Sequence, residues 1–209
     1  MTKLLVLLLF VNLGFCQNQG LQVSYDISFS NHKLKKNLKS IYFTLLVNKN
    51  QSYFFANTIM GVDESKYERF IEILENQIYY IDLENQLKLG GIKVSGEKLL
   101  VEEEWIKDWE LKNEFKKILG YRCQKAIRLI KDSKNNKTTV VTAWFSKDLL
   151  FPFGPKNFEG LPGLILEYGD KIKFSAKSIT LKNIKIERPL GKVLTGEELR
   201  AKTFELIKN

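Results

Sequence analysis

Apolar and polar residues alternate with a period of two along most of this chain. Leu21, Val23, Tyr25, Ile27 and Phe29 are separated by Gln22, Ser24, Asp26 and Ser28. Successive side chains of a strand point to opposite faces, so this run predicts a strand with one buried face. Ile41, Phe43, Leu45 and Val47 form a second run. Asn48-Lys49-Asn50 is a turn signal, and residues 52–56 read as the return strand of a hairpin. Residues 77–83 and 99–105 are again strand-like. Between them, Gly90-Gly91 in the Leu87–Val94 run predicts a hairpin turn or a bulge, and Ser95-Gly96 predicts a turn.

Two stretches depart from this period. In residues 63–74, Tyr67, Phe70, Ile71 and Leu74 fall at helical spacing, which predicts a short crossover helix. Near the end, Thr195 followed by Glu198 is a capping box, and Leu199, Thr203 and Leu206 continue one helical face. A C-terminal helix packed on the sheet follows from this. In residues 171–186 the buried phase set by Ile172, Phe174 and Ala176 switches at Ile179 and Leu181. It switches back at Ile184 and Ile186. Each switch implies a bulge, and bulges bend a sheet. The expected fold is therefore mainly β: a single strongly curved antiparallel sheet, a half-barrel or open barrel, with the two helices as additions.

Residues 144–166 contain three of the four prolines of the chain, together with Gly154, Gly160 and Gly163. Fixed φ at proline and permitted positive φ at glycine give such a loop few shapes. Phe151, Phe153, Phe158 and Leu161 supply apolar surface within it. Upstream, Tyr121, Cys123, Ile127 and Leu129 share one face of a predicted strand, which makes Cys123 a buried thiol.

Composition then sets bounds. The 209 residues, 44% hydrophobic, suit one domain with a core. Residues 1–16 read as a secretory signal peptide, with Lys3 as the charged start, an apolar run over residues 4–13, and Gly14 and Cys16 at the −3 and −1 positions. The domain then covers 17–209, and the protein is expected in the periplasm or associated with the outer membrane. A lipoprotein anchored through Cys16 is the second reading, disfavoured by the bulk of Phe15. The mature chain keeps one cysteine and has no internal disulfide to form.

The formal charge of +9 is carried mainly by lysine, with only five arginines among 33 basic residues. Bidentate phosphate and base contacts favour arginine, so nucleic acid is not the expected partner. Weak contact with an anionic membrane or glycan surface is compatible with the charge. The single histidine, His32, lies in a lysine-rich polar stretch and has no companion ligand, so no metal site is expected. Glu102-Glu103-Glu104 does not converge on one ion, because neighbours on a strand point apart. It reads as solvated or lysine-paired. The carboxylates Glu103, Glu159, Glu167 and Asp170 are the acid–base candidates, with no spacing that forces two together.

The chain resembles the GLPGLI family of exported proteins of Bacteroidota. The resemblance rests on Gly160-Leu161-Pro162-Gly163-Leu164-Ile165, on Gly154-Pro155 and Phe158 ahead of it, and on Ala143-Trp144-Phe145. A second block, Gly120-Tyr121-Arg122-Cys123-Gln124-Lys125-Ala126 with Trp109 upstream, also fits, and together these span residues 109–168. Phe145 stands where the family commonly has tyrosine, so no hydroxyl is available there. The resemblance implies a signal-bearing, mainly β envelope protein and carries over no catalytic residue and no cofactor. The Gly-Leu-Pro following a tryptophan-bearing strand is also similar to carrier proteins with an open β half-barrel.

Two functional expectations follow. The first is a non-enzymatic binding or accessory protein, expected to be monomeric, for a lipid, a peptide or a protein partner. Its contact residues would be Trp144, Phe151, Phe153, Phe158, Gly160, Leu161, Pro162 and Gly163, with Trp109, Gly120, Tyr121 and Cys123 as a structural signature. The second is an envelope hydrolase using carboxylates, with no identifiable catalytic set. Against both stands a purely structural role for the loop, in which its aromatics plug the core.

Overall fold

The computed structural model describes residues 19–30, 42–57, 77–94, 97–131 and 138–201. The expected signal peptide, His32, the expected crossover helix of residues 63–74, the expected Ser95-Gly96 turn and the last residues of the expected C-terminal helix lie outside them. Among the described residues there are twelve strands: β1 (Gln19–Phe29), β2 (Tyr42–Val47), β3 (Gln51–Ala56), β4 (Ile78–Asp82), β5 (Leu87–Val94), β6 (Glu97–Glu102), β7 (Glu110–Ile118), β8 (Tyr121–Lys131), β9 (Thr138–Ser146), β10 (Leu164–Tyr168), β11 (Ile172–Asn183) and β12 (Val193–Leu194). They form one sheet in the order β12-β6-β5-β4-β3-β2-β1-β11-β10-β9-β8-β7, which does not close into a barrel. Every pairing is antiparallel except that of β12 with β6. A short helix at 196–201 follows β12.

The period-two reading locates the main core. Leu21, Val23, Tyr25, Ile27 and Phe29 of β1 are all buried, and the register sets Val23 opposite Leu45 and Tyr25 opposite Phe43. From there the aromatic core continues through Phe54 and Phe174. Phe43 and Phe54 stack with centroids 5.2 Å apart, and Phe174 meets Phe43 edge-on at 5.2 Å.

The predicted phase switch in β11 is real. Ser24 pairs Ser178 and Tyr25 pairs Ala176, so Lys177 is the extra residue of a bulge. The second switch is not a bulge. β11 ends at Asn183, and Ile184 and Ile186 are buried from an irregular segment beyond it.

That segment explains a second cluster, in which Tyr80, Leu89 and Leu100 pack with Ile184 and Ile186. These strand residues alternate with the ones that face the main core, so β4–β6 are covered on both faces. The Gly90-Gly91 reading needs correcting here. β5 runs through both glycines with an unbroken register against β6. At position 90 the glycine makes room for a neighbouring side chain: a Cβ there would lie 2.4 Å from Oε1 of Glu103, which would have to move aside.

The capping box is formed. The Glu198 N–H donates to Thr195 Oγ1 at 3.2 Å and the Thr195 N–H donates to Glu198 Oε2 at 2.7 Å.

The β4–β5 turn is organised by Asp82, whose side chain no periodicity singled out. Its carboxylate accepts from the N–H groups of Glu84 and Asn85 and from the side chains of Asn85, Gln51 and Tyr80, all at 3.0–3.1 Å. Burial pushes the Asp82 carboxyl up, but these hydrogen bonds outweigh it and hold the pKa down at about 2, against an ordinary 3.8. A depressed carboxylate stabilises the fold above its unfolded pKa and loses that contribution as pH falls through the folded value. Asp82→Asn is therefore expected to cost about 2 kcal/mol at neutral pH. In urea titrations, the gap between wild type and variant should shrink between about pH 4 and pH 2. A gap independent of pH would contradict this account of Asp82.

Candidate functional site

The loop between β9 and β10 is stiff for local reasons. Phe151 N–H donates to Leu149 O, Phe153 N–H to Phe151 O and Gly163 N–H to Leu161 O, each at 2.8 Å, which are three-residue turns, the last two centred on Pro152 and Pro162. Phe153 and Glu159 form an isolated bridge, and Ile165 N–H donates to Phe153 O at 2.9 Å. Gly163 has φ +154°, and a Cβ there would lie 2.0 Å from the Ser146 carbonyl oxygen, so no other residue fits without moving backbone. At the start of β10 the register shifts at Leu166, and the Tyr25 hydroxyl donates to the Ile165 carbonyl at 2.5 Å.

The loop then reaches the other half of the sheet. Glu159 is 2% exposed. Its Oε2 accepts from Lys88 Nζ of β5 at 2.7 Å, and its Oε1 accepts from the Ile106 N–H at 2.7 Å. The Glu159 backbone carbonyl accepts from Trp109 Nε1 at 2.9 Å. Lys88 also donates to the Glu104 carbonyl at 2.7 Å and lies 5.8 Å from the Trp105 ring centroid. Two residues before Glu159, Asn157 Nδ2 donates to Glu103 Oε2 at 2.9 Å. The loop is thus fastened to β5 and to residues 103–109, although five strands separate β5 from β10 in the sheet order.

The electrostatics follow from burial. Burial lowers the Lys88 pKa, opposed by the hydrogen bond and charge of Glu159. Burial raises the Glu103 pKa. Asn157 and the Lys88 charge oppose that shift, while Glu104 and Glu159 add to it. Tyr79 is pushed up to about 12 by burial and then by the charge of Glu103. Lys156, at φ +60°, places its ammonium 5.3 Å from the Phe174 centroid, and burial lowers its pKa.

Of the four candidate carboxylates, the fold brings Glu103 and Glu159 together around Lys88. Glu167 lies elsewhere, paired with Lys116 at 2.8 Å and Lys173 at 3.4 Å, and Asp170 sits in the exposed β10–β11 turn. Lys88, the centre of the group, was missed by sequence reasoning. Its one signal was a lysine between two leucines in a strand whose neighbours are apolar on both faces. Glu103 is half-buried against Asn157, whereas Glu102 and Glu104 are exposed, so the acidic triplet does split between faces.

The apolar loop residues are placed unevenly. Phe153, Phe158 and Leu161 are buried in the core and Phe151 is half-buried. Phe158 lies against Tyr168 with centroids 3.8 Å apart and meets Trp109 at 6.1 Å. Gly160 and Pro162 are exposed and Gly163 is buried. Trp144 is half-buried on β9, under Lys116 Nζ at 4.4 Å from its ring centroid. Gly120 closes the β7–β8 turn at φ +86°, and Tyr121 opens β8, half-buried. Cys123 is fully buried, and burial pushes its thiol up to about 11. Leu129, predicted to share its face, is 51% exposed.

Beside the fastened loop lies an open cleft of about 260 Å³. Leu83, Trp105, Ile106, Pro152 and Gly160 line it, with Glu159 at its base and Gln86 and Lys107 exposed at the rim. Among the described residues, no group of three or more His, Cys, Asp or Glu side chains is placed to hold a metal.

Comparison with known proteins adds three findings. A family model described as "Protein of unknown function (Porph_ging)" matches residues 130–167, which take in β9, the loop and most of β10. No curated protein matches the chain. Two solved structures of PNGF-II, in the P21 and C2 space groups, match it at 18% and 17% identity with TM-scores of 0.61 and 0.58. The match covers 88% of this chain and 32% of PNGF-II, so the chain spans about a third of that protein's length. At this identity the likeness is one of fold.

Two outcomes are expected. Lys88→Met leaves Glu159 buried without its cation and costs about 3–5 kcal/mol in urea denaturation. Lys88→Met combined with Glu159→Met removes both charges and recovers part of that loss; a neutral single variant would refute the fastening role. Cys123, buried and held as a thiol, is expected to label slowly with a maleimide in the folded protein. Its rate should rise to that of a free thiol only in denaturant, and fast labelling at neutral pH would contradict the assignment.

Proposed function

We propose that this chain is an exported cell-envelope protein that binds rather than catalyses. It holds an apolar ligand or partner segment (a lipid, a peptide or part of another protein) in the cleft beside the β9–β10 loop. The observation that carries this reading is the way the loop's buried carboxylate is used. Glu159 is buried and both its oxygens are occupied, by Lys88 and by the Ile106 N–H. A general acid or base needs an oxygen within reach of substrate. Glu159 instead fixes the shape of the cleft wall.

What remains open to solvent there is mostly apolar: Trp105, Pro152 and the backbone at Gly160. Ligand sites are typically concave and apolar with a few polar groups for orientation, and Gln86 and Lys107 fit that role. The curved-sheet reading is supported by the same contact. On a flat sheet β5 and β10 would stand six strand spacings apart, about 29 Å. Export through the N-terminal leader belongs to this proposal too.

The alternative, an envelope hydrolase, is favoured by one observation: Glu103 and Glu159 lie close enough for the charge of one to raise the pKa of the other. Glu103 is nevertheless tied to Asn157 and packed over Gly90, which gives it the role of a second fastener.

Native mass spectrometry on protein taken from its own envelope fraction tests the binding reading. The wild type is expected to carry a reproducible bound lipid or peptide, and Trp105→Ala to lose it while retaining its thermal midpoint within a few degrees. Bare monomer from both preparations would overturn the proposal.

A further inference from the structure

A second surface stands apart from the loop cleft and shares no lining residue with it. In the described sheet, β7 is the terminal strand, so one of its edges has no partner strand. Proteins usually shorten, bulge or cover such an edge, because it presents unpaired N–H and C=O groups to other chains. The opposite terminal strand, β12, has only two residues. β7 has nine, and it is protected only over its first half. Leu111 pairs Ala126 and Phe115 pairs Gln124, so Lys112, Asn113 and Glu114 bulge opposite Lys125 alone. The Gln124 side chain then caps the Lys112 carbonyl at 3.0 Å. Beyond the bulge, residues 115–118 pair regularly with β8.

The regular half of the edge has its own chemistry. A cleft of about 360 Å³ lies beside it, lined by Phe115, Arg122, Gln124, Phe145, Lys147 and Asp148. Phe115 is 44% exposed, and the Arg122 guanidinium stacks 4.0 Å from its ring centroid. Lys112, Lys116 and Lys125 are neutralised by Glu110, Glu167 and Glu114. Lys117, Arg122 and Lys147, all exposed, form no ion pair among the described residues. Asp148 is the one carboxylate in the cleft. A stacked, pre-oriented guanidinium with a free fork is suited to a carboxylate.

We propose that the outer edge of β7 at residues 115–118, with the adjoining Arg122–Lys147 cleft, is a docking site for an extended, acidic segment of a partner protein. The segment adds a strand to the sheet through main-chain hydrogen bonds, rests apolar side chains on Phe115 and places a carboxylate between Arg122 and Lys147. The concavity beside the edge favours a discrete chain over a flat lipid surface. Charge complementarity selects acidic sequences and suppresses basic ones.

The test uses the full chain and a fluorescent peptide of repeated Val-Val-Glu-Glu, in which each face of the extended chain carries both residue types, read by anisotropy. Binding is expected, weakening as salt rises and absent for the valine–lysine counterpart. Arg122→Glu and Lys147→Glu, on two walls of the cleft, should each weaken it roughly tenfold or more. Both residues are exposed, and unchanged thermal midpoints would show that the variants fold. N-methylation of alternate peptide amides, which blocks strand addition and keeps the charge, should abolish binding. Equal binding of the methylated peptide would overturn the edge, and unchanged affinity in both variants would overturn the cleft. No binding at millimolar peptide would overturn the proposal outright. Tighter binding to phosphatidylglycerol vesicles that displaces the peptide would replace it with a lipid surface.

Discussion

A buried ion pair between a strand and a loop, Lys88 with Glu159, sets the geometry of this protein. Neither charge belongs in an apolar interior by itself. Each is tolerated because the other lies 2.7 Å away and the remaining donors and acceptors are met by the Glu104 carbonyl and the Ile106 N–H. Replacing such a pair by apolar residues is often neutral or stabilising, so its value lies elsewhere. It admits one position of the loop. An apolar loop sliding on an apolar face has many similar arrangements, whereas a carboxylate in that face has one partner. The bond of Trp109 to the Glu159 carbonyl and of Asn157 to Glu103 extend the same restriction to either side.

Once the loop is fixed, the rest of its chemistry follows. Phe153, Phe158 and Leu161 complete the core over β1, β10 and β11, and the exposed backbone at Gly160 is left beside Trp105 and Pro152. The same residues therefore close the core and shape the cleft. The loop is a structural plug on its inner side and a candidate binding wall on its outer side.

The strands were legible because a sheet with one solvated face writes its orientation into alternation. β1 and β2 fall where the apolar residues alternate, β3 falls where the Asn48-Lys49-Asn50 turn returns the chain, and the β11 bulge falls where the phase breaks. The reading failed where both faces are covered. In β5, alternation sets Lys88 apart from Leu87 and Leu89 and suggests solvent. The segment containing Ile184 and Ile186 buries the leucines, and the loop buries the lysine. Gly90-Gly91 looked like punctuation because a glycine in a sequence does not say whether it serves a turn or a close contact. Leu129, assigned to a buried face, is exposed because β8 nears the end of the sheet, where less covers it.

The sequence by itself determined the mainly β class, the boundaries of the best strands, the capped C-terminal turn and the stiffness of residues 151–163. All of these are local: they follow from periodicity, from capping over three residues and from the restricted φ of proline and glycine. Only the tertiary structure decided which carboxylates meet, that Glu159 is fastened rather than free, and that β7 is left as an edge. Those facts depend on residues 53 and 71 positions apart being brought together. Such proximity is set by the order of strands in the sheet, and no local pattern encodes it.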